Sequence, residues 1–77
     1  MRLKTRMKKP PYNSGWNIYE VECSQSSGSY LYTVKIYAKS YESVEHNFIT
    51  LYPEYKFEKI ISMEPYGNYR KNNKKEN

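Results

Sequence analysis

Two stretches that alternate with a period of two constrain this chain most. In "WNIYEVECS", Asn17, Tyr19, Val21 and Cys23 share one face, while Ile18, Glu20 and Glu22 share the other. In "SYLYTVKIYAK", Tyr30, Tyr32, Val34, Ile36 and Ala38 oppose Leu31, Thr33, Lys35, Tyr37 and Lys39. Side chains alternate across a strand, so each stretch predicts a strand with one apolar face. Only "QSSG" lies between them, which predicts an antiparallel hairpin.

The next segment changes period. Tyr41, Val44, Phe48 and Leu51 are spaced as one stripe of a helix. Ser40 is the predicted N-cap, its hydroxyl placed to accept from a first-turn N–H. Glu42 and Glu45 suit the positive end of the helix dipole. Pro53 disfavours the helical conformation at Tyr52 and ends the helix there. "EYKFEKIISME" then predicts a third strand. Tyr55, Phe57, Ile61 and Met63 share parity, but Lys59 interrupts them and Ile60 lies opposite. A bulge near Lys59–Ile60 would restore the pattern; alternatively the strand is an edge guarded by Lys59.

The fold class expected is α+β, a small two-layer β-β-α-β domain. One helix packs on a three-stranded antiparallel-type sheet with flexible basic tails. The expected divisions are an arm at 1–15, the domain at 16–66 and a disordered tail at 67–77. The expected core is Val21, Cys23, Val34, Ile36, Ala38, Val44, Phe48, Leu51, Phe57 and Ile61. No element remains to cover the second sheet face, which is therefore wet or a binding surface. In outline the order resembles small accessory proteins of phages and mobile elements, though no motif accompanies the resemblance.

The net charge of +5 over 77 residues is unevenly placed. Arg2, Lys4, Arg6, Lys8 and Lys9 stand before residue 13 with no acid among them. Arg70, Lys71, Lys74 and Lys75 crowd the last eight residues against Glu76. The intervening body is mildly acidic. Those nine cations are candidate phosphate contacts to DNA or RNA, which would not read sequence.

Catalysis is not expected. His46 and Cys23 are single residues of their kinds, on different faces of different elements. A structural zinc site wants four such ligands, so neither a metal nor another cofactor is expected. One cysteine excludes an internal disulfide. No apolar run approaches the roughly 20 residues of a membrane helix, and the N-terminus lacks the apolar core of a signal peptide. A reducing cytoplasm is the expected location.

Ten tyrosines remain to be explained. Tyr30 and Tyr32 share the helix-side parity, which places them at the core rim rather than on a base-stacking platform. Tyr37 is expected on the open face. Tyrosine and tryptophan are enriched at binding hot spots. The expected function is therefore a non-enzymatic binding module, an accessory or inhibitory protein docking on a larger protein. Its candidate contacts are Trp16, Ile18, Thr33, Lys35, Tyr37 and Lys56. Nucleic-acid contact through the tails is the alternative, and a homodimer burying the open face is a further possibility for these surfaces.

Overall fold

A computed structural model of the protein describes residues 2–11, 14–25, 28 and 30–67. Strand β1 (Asn17–Gln25), strand β2 (Leu31–Ala38), helix α1 (Tyr41–Leu51) and strand β3 (Tyr55–Pro65) follow in that order. They form an α+β domain with an antiparallel three-stranded sheet ordered β2-β1-β3. The central position of β1 makes α1 the crossover between two strands that run parallel to each other on its two sides. The helix covers one sheet face, and the side chains sort into rows by register.

On the helix side the rows are Ile36–Tyr19–Met63, Val34–Val21–Ile60 and Tyr32–Cys23–Phe57. Val44 and Phe48 descend from α1 onto them. Val21, Cys23, Val34, Ile36, Ala38, Val44 and Phe48 are fully buried, as the alternation predicts. Leu51 and Phe57 pack at the margin. Ile61 does not enter the core; it is 48% exposed, and Ile60 packs there instead. The cause is a pair of register shifts. β1 steps from Ser62 to Ile60 between Glu20 and Val21, and from Lys59 to Phe57 between Glu22 and Cys23. Ile61 and Glu58 are the extra residues. The bulge expected near Lys59–Ile60 is therefore doubled, one on each side of that dipeptide, and β3 is also an edge strand.

Helix α1 stops where Pro53 requires. Tyr52 adopts φ −126° and ψ 60°, and its N–H still donates to the Phe48 carbonyl at 2.8 Å. Ser40 occupies the N-cap, but its hydroxyl does not cap the backbone; it bonds the Ser43 hydroxyl at 2.9 Å. Asn47 Nδ2 donates to the Tyr37 carbonyl at 3.1 Å, tying the helix to the end of β2.

The N-terminal segment departs from a free arm. The Leu3 N–H donates to the Thr33 carbonyl at 2.7 Å, and Arg2 bridges Thr33 in parallel sense. Leu3 packs against the core from the edge of β2. The Tyr52 hydroxyl then donates to the Lys4 carbonyl and accepts from the Arg6 N–H. Arg6 clamps Glu54 and donates to the Leu51 carbonyl. The arm docks because a buried hydroxyl needs hydrogen-bond partners, which the arm backbone supplies, while Leu3 adds apolar area. Gly15, at φ +87°, turns the chain into β1 in a region that L side chains avoid.

Four tyrosines outside the expected core are enclosed by the fold. Tyr19, Tyr37, Tyr52 and Tyr66 are buried. Tyr30 is the converse, 73% exposed where a packed ring was expected. Tyr32 is half-buried and meets Tyr55 edge-on at 5.6 Å.

Candidate docking face

The sheet face away from α1 is built from four cross-strand rows: Tyr37–Ile18–Glu64, Lys35–Glu20–Ser62, Thr33–Glu22–Lys59 and Leu31–Ser24–Lys56. This face is polar at its centre because the even positions of β1 are Ile18, Glu20, Glu22 and Ser24. No helix or strand covers it among the described residues. A cleft of about 360 Å³ opens on it, lined by Arg2, Ile18, Glu20, Lys35, Ser62, Met63 and Glu64.

Charges on this face are paired across strands and across the arm. Arg2 Nη1 reaches Glu20 at 3.0 Å, and Lys59 Nζ lies 3.9 Å from Glu22. The Ser24 hydroxyl donates to Glu58 at 2.6 Å. Partly exposed pairs of this kind each contribute about 1 kcal/mol at most. Their value here is positional: they hold Glu20 and Glu22 upright between the strands. Lys35 stands opposite Glu20 in register, but the ion pair of Glu20 goes to Arg2. Lys35 and Glu64 thus offer one cation and one anion at the cleft with no ion-pair partner among the described residues.

The six candidate contacts divide. Ile18 and Lys35 meet at the cleft. Thr33 is half-buried, with its carbonyl taken by Leu3. Trp16 is half-buried before β1, with Lys39 Nζ 5.5 Å from its ring centre and its carbonyl accepting from the Tyr66 N–H. Lys56 is exposed at the opposite end, in the row with Ser24. Tyr37 is not an exposed contact. It points to the open face as parity requires, but Tyr66 meets it edge-on at 5.1 Å, leaving it 6% exposed. The chain folds back after β3, and no sequence period encodes that return. Glu20, Ser62, Met63 and Glu64 join the cleft although none was a candidate contact, and Arg2 joins it although it was a candidate only for phosphate. The register of β3 against β1 brings Ser62, Met63 and Glu64 there, and two bulges obscured that register.

Of the nine candidate phosphate contacts, Arg2 and Arg6 are occupied by Glu20 and Glu54. Lys4, Lys8 and Lys9 are exposed on the docked arm. Arg70, Lys71, Lys74 and Lys75 lie outside the described residues, as does nearly all of the expected 67–77 tail.

A second cleft, about 240 Å³, lies between the arm and α1, lined by Met7, His46, Asn47, Thr50 and Leu51. His46 is exposed there, whereas Cys23 is sealed beneath the helix. Burial, with Glu58 and Glu22 nearby, pushes the Cys23 thiol above its ordinary pKa, which disfavours the nucleophilic thiolate. No cluster of three or more His, Cys, Asp or Glu able to hold a metal occurs among the described residues. No helix is long and apolar enough to cross a membrane among them.

Comparison with protein-family models, curated proteins and solved structures returned no match.

Proposed function

We propose that this is a cytoplasmic, non-enzymatic binding module, an accessory or inhibitory protein that docks on a larger protein through the open sheet face. One observation carries this reading: the uncovered face holds a cleft lined by an apolar side chain, Ile18, together with Lys35 and Glu64. Apolar area with a few oriented charges suits a protein segment better than a polyanion, because Glu20, Glu22 and Glu64 repel phosphate. The burial of Tyr37 moves the binding emphasis from tyrosines to Ile18 and Lys35.

The test is capture from extract of the native cells, with and without nuclease, using the wild type and Lys35→Glu. A nuclease-resistant partner should be retained by the wild type and reduced at least tenfold by Lys35→Glu, with an unchanged melting temperature. Equal retention by both proteins overturns the reading. Exposed Lys4, Lys8 and Lys9 favour nucleic acid as the second reading. Capture that disappears with nuclease and weakens steeply with salt would favour it.

A further inference from the structure

Strand β3 has one neighbour, β1, and its outer edge carries no ladder among the described residues. At the other side of the sheet, the outer edge of β2 is partly occupied by the arm at Leu3. The open edge is eleven residues long and carries the exposed apolar side chains of Ile61 and Met63. Unpaired edges of this length pair with another strand unless something prevents it. Lys59 is the expected guard, but its ammonium turns 3.9 Å from Glu22 on the open face, inward along the sheet.

We propose that the occupant is a second copy of the chain, paired antiparallel through β3 about a twofold axis at Ile60. Such an interface must be self-complementary. With Ile60 on the axis, Lys56 stands opposite Glu64 of the second copy, twice over, and Phe57 stands opposite Met63, also twice. The two bulges leave this register intact. Each shifts the face pattern by one residue, so together they cancel. Lys56 and Glu64 both lie on the open face, in register with Ser24 and Ile18. Phe57 and Met63 both lie on the helix side, in register with Cys23 and Tyr19. Neither Lys56 nor Glu64 has an ion-pair partner among the described residues. Neighbouring registers fail: centring on Lys59 opposes two lysines, and centring on Ile61 opposes Glu58 to Glu64. Like charges directly opposite destabilise a strand pair. The product is a continuous six-stranded sheet, with the two open clefts on the same face. This inference stands independently of the foreign partner proposed above.

Sedimentation equilibrium of the full chain over a range of concentrations tests it. The wild type should pass from 9.3 kDa toward twice that mass. Lys56→Glu and Glu64→Lys should each weaken dimerisation roughly tenfold or more, since each places like charges opposite twice. The double variant K56E/E64K should restore it, and isotope-filtered NMR should place Phe57 of one copy beside Met63 of the other. A wild type that stays monomeric up to millimolar concentration overturns the proposal. So does a double variant no better than the singles, or intermolecular contacts from Ile18 and Lys35 in place of β3.

Discussion

The Tyr52 hydroxyl donates to the Lys4 carbonyl and accepts from the Arg6 N–H, both at 2.8 Å, across more than forty residues of chain. Its ring stacks on Phe48 at 5.5 Å, and the Arg6 guanidinium lies 4.6 Å from its centre. One side chain therefore joins arm, helix and core. Tyr52→Phe keeps the ring and removes both bonds, so it should cost about 1–2 kcal/mol in urea unfolding. Burial raises the Tyr52 pKa above its ordinary value of 10, outweighing the lowering effects of Arg6. The neutral phenol is thus favoured in the folded state. The associated stability is complete below pH 10 and is lost as pH rises through the higher folded value. Tyr52→Phe should remove that part of the alkaline sensitivity, and a variant with the wild-type profile would contradict the assignment.

Among the elements, the arm depends most on charge. The hydrogen bond from Arg6 holds the Glu54 carboxyl below its ordinary 4.5. A lowered folded pKa stabilises above the unfolded value and is lost as pH falls through the folded one. The arm should therefore stay docked at neutral pH and loosen in acid, below about pH 4.5. The amide shift of Arg6, followed by NMR from pH 7 to pH 3, reads this directly. Glu54→Gln should flatten the transition; an unchanged midpoint in that variant would assign the loosening to another group. Strand β3 shows a different element-level lesson. Its alternation is broken at Lys59, and two bulges repair it, so Ile60 packs and Ile61 does not.

At the scale of the whole molecule the core is thin, nine buried residues in one cluster among the described residues, between one helix and three strands. Phe48 is at its centre, stacked on Tyr52 and tilted 5.7 Å from Phe57. Deleting a buried phenylalanine costs about 3–5 kcal/mol, comparable to what so small a core supplies. Phe48→Ala should therefore unfold the domain at room temperature. Cys23 reports it: its thiol, fully buried in the native protein, should react at once with a thiol reagent in Phe48→Ala and slowly in the wild type. Equal slow reaction in both would show a core able to collapse around the gap.

Local chemistry in the sequence was enough to determine the elements and, outside β3, their faces. Alternation placed Val21, Cys23, Val34 and Ile36 inward. The helical stripe placed Val44 and Phe48 on the same core, and Pro53 ended the helix. The candidate face was legible only in part, through Ile18 and Lys35. Tertiary structure decided everything that joins residues distant in the chain. Tyr66 folds back over Tyr37, Arg2 crosses to Glu20, and Tyr52 captures the arm. The physical reason is that periodicity reports which way a side chain points, whereas its burial depends on what returns to cover it. A basic segment reads as solvated until a buried hydroxyl and two glutamates, far away in sequence, are found to need its backbone and its arginines.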